Sequence, residues 1–122
     1  MLSIQLVSAE LRLKIEETKA TGNKAVMKLS LKNKFAEKIE SARAQVFLLN
    51  DEGKVVGQAV QWVIGGTKDK LPLEHDATRP FKFVIPVEKP FTKSKITVTR
   101  IILEGGKSID PKGNFIVEGE GN

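Results

Sequence analysis

The sequence predicts an all-β domain, an immunoglobulin-like Greek-key β-sandwich of about seven antiparallel strands. Three observations support this prediction. Apolar residues recur with a period of two, as in strands that bury one face. Turn residues separate the apolar segments at regular spacing, which is typical of a sandwich. The chain of 122 residues is the size of a single domain. A small barrel is the alternative architecture.

Three segments alternate apolar with polar or charged residues, which is typical of strands with one buried face. The apolar members, which we expect to face the core, are Leu11, Leu13 and Ile15 in the first segment, Met27, Leu29 and Leu31 in the second, and Phe81, Phe83, Ile85 and Val87 in the third.

Three further segments, residues 42–49, 54–64 and 95–103, are apolar on both faces. They predict central strands, or strands whose second face is also covered. A short apolar run, Phe115-Ile116-Val117, predicts a seventh strand. We expect one domain over residues 1–118 and a frayed tail over residues 119–122.

The clearest turn is Asn50-Asp51-Glu52-Gly53, a hairpin signal between two apolar segments. We expect Asp51 to cap the turn through its side chain and Gly53 to supply a positive φ. Residues 32–45 predict a connection between strands with at most one helical turn. A helix over this segment is the alternative, because residues 35–39 have fair helix propensity.

The hairpin resembles the signature of the FxLYD domain, a small immunoglobulin-like sandwich of prokaryotic proteins, many of them exported. Phe47, Leu49 and Asp51 match the signature, and Asn50 stands where tyrosine is usual. Asn33 after the second strand and the run at residues 53–56 are also similar to the family. The resemblance implies a bacterial domain without catalytic residues, and it slightly favours an exported protein.

Composition excludes several function classes. The absence of Cys removes disulfides, thiolate metal sites and cysteine nucleophiles. The first eight residues lack the pattern of a signal peptide, and no apolar run is long enough to span a bilayer. The net charge of +5 favours anionic partners, although it also serves solubility.

The sequence contains no recognisable catalytic, cofactor-binding or metal-binding motif. His75 is the only histidine, and we expect it in an exposed loop. The glycine pairs at residues 65–66 and 105–106 lack the spacing of a phosphate-binding loop. We therefore predict a protein that is not an enzyme and that uses no cofactor and no metal.

Two surfaces are candidates for binding. One is a basic face formed by the charged positions of the alternating strands, namely Arg12, Lys14, Lys28, Lys32 and Lys82. It would bind an acidic protein, a polyanion or lipid head groups. The alternative role for these residues is protection of the strands against aggregation. We expect no nucleic acid, because no aromatic residues interleave with the basic ones.

The other surface is the apolar outer face of the sheet that holds Phe47, Leu49, Trp62 and Ile101. Something should cover such a face: residues 115–117, a second copy of the chain or another protein. Trp62 belongs either to the core, as is usual for a lone Trp in a sandwich, or to this surface. The main functional prediction is a non-catalytic interaction module that binds a protein partner or itself through this face. The alternative is an anionic ligand on the basic face.

Overall fold

The computed structural model describes residues 10–67 and 70–119, which form eight strands and no helix. The strands are β1 (Leu11–Thr21), β2 (Lys24–Asn33), β3 (Ile39–Leu49), β4 (Val55–Ile64), β5 (Thr78–Pro86), β6 (Lys93–Leu103), β7 (Lys107–Ile109) and β8 (Phe115–Glu118). The helical alternative for residues 32–45 is wrong, because β2 runs to Asn33 and β3 begins at Ile39.

The strands form two four-stranded sheets. The order of the first sheet is β5-β2-β1-β8 and that of the second is β4-β3-β6-β7. This order, with the chain crossing between the sheets after β2, β4, β5 and β7, confirms the predicted β-sandwich. Two details differ from the prediction. β7 is an additional strand of three residues, and β8 pairs with β1 in parallel rather than antiparallel.

The core lies between the sheets and is lined by alternate residues of the long strands, as the period of two predicts. From the first sheet it contains Leu11, Leu13, Ile15, Met27, Leu29, Leu31, Phe83 and Ile85; from the second it contains Ala42, Ala44, Val46, Leu48, Ile96, Val98, Ile101 and Leu103. Phe81 is only half-buried, and its ring packs edge-on against Phe83 at a centroid distance of 5.1 Å. Val87 lies beyond the end of β5 and is half-buried against this core.

The hairpin between β3 and β4 is where the sequence predicts it, but a different residue caps it. The side-chain oxygen of Asn50 accepts hydrogen bonds from the backbone N–H groups of Glu52 and Lys54, each at 2.9 Å. Asp51 is exposed, and Gly53 has the expected positive φ of 78°. Asn50 takes the capping role because it is the first residue of the turn, from which an amide oxygen reaches the N–H groups that follow.

Asn33 joins three segments of chain at the end of β2. Its side-chain nitrogen donates to the backbone carbonyls of Glu37 (2.9 Å) and Leu73 (3.0 Å), and its side-chain oxygen accepts from the N–H of Phe35 (2.8 Å). The side chain is fully buried. These bonds satisfy a polar group that would otherwise be costly to bury.

The two ends of the chain bear on the predicted boundaries. Gly119 lies against β1, so closely that a Cβ atom there would overlap the carbonyl oxygen of Ile15. The rest of the predicted tail, residues 120–122, and the start of the chain, residues 1–9, lie outside the described residues. Within the part that is described, no helix is long and apolar enough to cross a membrane.

Candidate binding face on the second sheet

Three of the four predicted interface residues point outward from the second sheet. Phe47 and Leu49 alternate with the buried residues of β3, and Trp62 lies opposite Arg43 of that strand. Ile101 does not belong with them, because its side chain is fully buried and it pairs with Ala42 in the core.

A bulge in β6 explains why Ile101 points into the core. Arg43 pairs with Arg100 and the next residue of β3, Ala44, pairs with Val98, so Thr99 is an extra residue in β6. Such an insertion reverses which positions point inward. Ile96 and Val98 are buried before the bulge, and Ile101 is buried after it. Ile102 is therefore the half-exposed residue.

The outward side chains form rows across β4, β3 and β6, and we call them the second-sheet face. In the order β4-β3-β6 the rows are Trp62-Arg43-Arg100, Val60-Gln45-Thr97, Gln58-Phe47-Lys95 and Val55-Leu49-Lys93. Apolar and aromatic groups dominate the β4 side, and cations dominate the β6 side. The face is thus divided into an apolar half and a basic half.

Trp62 is not fully buried in the core, and its ring is not fully exposed on the second-sheet face. The guanidinium of Arg43 lies 5.5 Å from the ring centroid, within the range of a cation–π contact. The backbone of Gly66 lies against the indole, since a Cβ atom at Gly66 would overlap Cγ of Trp62. The side chain is half-exposed as a result. Part of the predicted apolar surface is therefore covered by the chain itself.

Residues 115–117, one of the segments predicted to cover this face, lie in the other sheet. Phe115, Ile116 and Val117 belong to β8, which lies beside β1 in the first sheet. They do not cover the second-sheet face. Val55 and Val60 on β4 are 51% and 50% exposed.

The second-sheet face carries positive charge that no carboxylate of the described residues neutralises in an ion pair. Residues 43–49, 55–62 and 93–100 contain no Asp or Glu. They contain the cations Arg43, Lys93, Lys95 and Arg100. The ion pairs formed among the described residues all involve other cations. Unpaired like charges on one face create a local positive potential that attracts anions.

The predicted basic face differs in this respect. Arg12, Lys14, Lys28, Lys32 and Lys82 do lie on the outer side of the first sheet, but three of them are paired. Arg12 contacts Glu10 at 2.8 Å, Lys28 contacts Glu17 at 3.5 Å and Lys32 contacts Asp76 at 3.7 Å. Glu118 lies opposite Lys14.

These pairs have electrostatic consequences. A hydrogen bond from Lys34, supplemented by the charges of Lys34 and Lys32, lowers the pKa of Asp76 from its ordinary value. The hydrogen bond between Arg12 and Glu10 raises the pKa of Arg12. Carboxylates thus offset much of the positive charge that the sequence pattern assigns to this face. A shallow groove of about 470 Å³ crosses it, and its lining includes Glu16 as well as Lys28 and Lys82.

His75 and the carboxylates form no metal-binding cluster within residues 10–67 and 70–119. His75 is exposed, and its Nδ1 lies 2.6 Å from the backbone carbonyl of Phe35. No group of three or more histidine or carboxylate side chains in these ranges is arranged to hold a metal ion.

Comparisons with known proteins agree with the fold. No protein-family model and no curated protein sequence matches this chain. Among solved structures, IrmA from Escherichia coli superposes with a TM-score of 0.58 at 12% identity, over 88% of this chain and 90% of that protein. The putative ApaA protein from Bordetella pertussis has a TM-score of 0.58 at 13% identity, over 82% of this chain and 85% of that protein. At such low identity these likenesses establish the β-sandwich fold alone.

Proposed function

We propose that this domain is a non-catalytic interaction module that binds an acidic protein segment through the second-sheet face. One observation carries the proposal: four cations that form no ion pair with any carboxylate of the described residues share a surface with half-exposed aromatic and aliphatic side chains. Aromatic residues and arginine are the groups that contribute most to protein interfaces. The predicted resemblance to FxLYD domains agrees with this role but does not identify the partner.

The apolar residues of the second-sheet face allow two binding partners, another protein or a second copy of the chain. The charge of the face distinguishes between them. Face-to-face packing of two copies would bring the cations of the β6 side either against the same cations of the other copy or over its apolar half, where an unpaired buried charge is costly. Like charges juxtaposed in an interface are costly. A partner with Asp or Glu side chains over β6 and apolar side chains over β4 matches both halves of the face. The acidic protein is therefore favoured over a second copy at this surface.

The outer side of the first sheet, which carries Arg12, Lys14, Lys28, Lys32 and Lys82 and which we call the first-sheet face, is the weaker candidate for an anionic ligand. Its cations already contact Glu10, Glu17 and Asp76, and a ligand would have to compete with these carboxylates. The two faces therefore predict different outcomes when their charges are reversed.

The proposal is tested by binding of a random copolymer of glutamate and tyrosine, with polyglutamate as a purely anionic comparison. The test variant is Lys93→Glu/Lys95→Glu. Its matched control, Lys14→Glu/Lys82→Glu, reverses two exposed lysines on the first-sheet face and has the same net charge. We expect the test variant to bind the copolymer about tenfold more weakly, equivalent to about 1.4 kcal/mol, and the control to bind like the native chain. The copolymer should bind more tightly than polyglutamate.

Equal weakening in the two variants would contradict the proposal, because it would mean that only net charge matters. Weaker copolymer binding by the control variant alone would show that the binding site is on the first-sheet face. Thermal unfolding of both variants establishes that each is folded, and all four lysines are exposed.

A further inference from the structure

The four sheet edges are unequally protected against pairing with another chain. Exposed edges are ready templates for strand addition, and proteins protect them with proline, charged residues or short strands. β5 contains Pro80, Pro86 and Lys82. β7 and β8 are only three and four residues long. Three edges therefore carry recognisable protection.

β4 has none of these features. It is ten residues long and contains no proline and no charged residue. Within the described part of the chain, its outer edge is occupied only near its start, by the bridge between Gly57 and Val87 and a hydrogen bond from the N–H of Glu88 to the carbonyl of Val56 (3.2 Å). Val63 and Ile64 at the other end are buried. Residues 58–62 remain, and we call them the open edge.

We propose that the open edge pairs antiparallel with the open edge of a second copy of this chain, which extends the second sheet into a continuous sheet across a two-fold axis. A two-fold dimer brings the same segment of each copy together. The middle residue of the open edge is Val60, so this register places Val60 opposite the Val60 of the other copy and Gln58 opposite its Trp62. In this register the side chains that point outward from one copy lie beside those that point outward from the other copy, as the alternation of side chains along paired strands requires.

Charge favours a second copy as the occupant of this edge. β4 is uncharged, so edge-to-edge pairing creates no like-charge contact along the strand. The cations of the second-sheet face lie on β3 and β6. With strands about 4.8 Å apart, Lys95 of the two copies would be separated by five strand spacings, roughly 24 Å. That distance exceeds the screening length of about 8 Å at physiological salt. An acidic strand would find no cation on β4 to pair with.

The pairing uses the backbone groups of the open edge, whereas the proposed function uses outward side chains, among them those of Gln58, Val60 and Trp62 on the same strand. The dimer leaves the second-sheet face open on both copies and doubles its length. Failure of the dimer would therefore leave the binding of an acidic partner untouched, and failure of that binding would not affect the solution mass.

The test is the solution mass by light scattering and sedimentation across a wide concentration range, for the native chain, Val60→Lys and Val84→Lys. Val84 is the matched control, because it is 43% exposed on the edge strand β5, close to the 50% of Val60. We expect the native chain and Val84→Lys to approach twice the monomer mass at high concentration. Val60→Lys should stay monomeric.

The register has its own test, because the native chain contains no Cys. Directly opposed residues of an antiparallel pair have Cα atoms about 4.5–5.5 Å apart, which a disulfide spans. Val60→Cys should therefore form a cross-linked dimer on mild oxidation much faster than Val84→Cys. A native chain that is monomeric up to about millimolar concentration, the weak limit of measurable association, would overturn the proposal. So would a dimer that Val60→Lys leaves intact, or equal cross-linking at the two positions.

Discussion

At the scale of single residues, the contact between Gly66 and Trp62 decides how much indole the second-sheet face presents. Gly66 combines a positive φ of 77° with a close approach to the ring. Only glycine satisfies both conditions, since any Cβ would overlap the indole. The loop after β4 therefore requires glycine at residue 66 in order to pack against the half-covered indole of Trp62.

Gly66→Ala should displace the loop from Trp62 and destabilise the fold. The matched control is Gly106→Ala, where φ is 79° but no atom lies within 4 Å of the added Cβ. The control carries only the backbone strain, about 1 kcal/mol. We expect Gly66→Ala to lose about 2 kcal/mol more than the control. The fluorescence of the single Trp should shift to longer wavelength. Equal losses and unshifted emission would show that Gly66 does not contact the ring.

Asp76 supplies a pH-dependent contribution of defined sign. Its pKa is lowered in the folded chain by the hydrogen bond from Lys34. A carboxyl whose pKa is lower in the folded than in the unfolded state stabilises the fold above the unfolded value, and this contribution disappears as the pH falls through the folded value. The contribution of Asp76 is therefore present at neutral pH and lost below its ordinary pKa of 3.8.

Asp76→Asn should lower stability at neutral pH, with a difference from the native chain that shrinks as the pH falls below this range. Asn tolerates the positive φ of 62° at this position, so the substitution isolates the charge. The measurement is urea unfolding at neutral and acid pH, at low and high salt. A difference that is the same at every pH would show that the charge of Asp76 contributes nothing.

At the scale of elements, the sequence predicts strands well where they alternate and poorly where they do not. β1, β2 and β5 alternate, and their inward residues are those expected, except that Phe81 is only half-buried and Val87 lies beyond the end of β5. β6 is apolar at residues 101–103, so its pattern does not reveal that Thr99 is a bulge. β7 contains only three residues, too few to show a period.

The sequence patterns of single strands also do not predict the charge of the two sheet faces. The carboxylates of Glu10 and Asp76 reach the first-sheet face from outside the strands. On the second sheet, the basic residues of β6 join the aromatic residues of β3 and β4 only through the strand order 4-3-6. Sequence alone thus located the apolar half of the candidate site but not its basic half.

Because of the bulge in β6, we expect the neighbouring residues Ile101 and Ile102 to differ in how well they tolerate substitution by lysine. Ile101→Lys places an unpaired ammonium in the core and should cost about 4 kcal/mol or abolish folding. Ile102→Lys places it on the half-exposed outer side and should cost about 1 kcal/mol or less. Chemical denaturation of the two variants measures the difference. Similar losses at both positions, or a larger loss for Ile102→Lys, would refute the register of β6.

At the scale of the whole molecule, the two outer faces have contrasting charge arrangements. The first sheet balances its cations with carboxylates, whereas the second leaves four cations beside aromatic and aliphatic groups. The net charge of +5 is therefore less informative than its distribution. This asymmetry is the basis for assigning binding to one face.

The most direct test of that assignment is a titration of the isotope-labelled chain with the glutamate–tyrosine copolymer, followed by amide NMR shifts. We expect the largest shifts at residues 43–49, 58–62 and 93–100, with little change along β1, β2 and β5. Shifts centred on the strands that carry Lys14, Lys28 and Lys82, or spread evenly over every lysine, would contradict it.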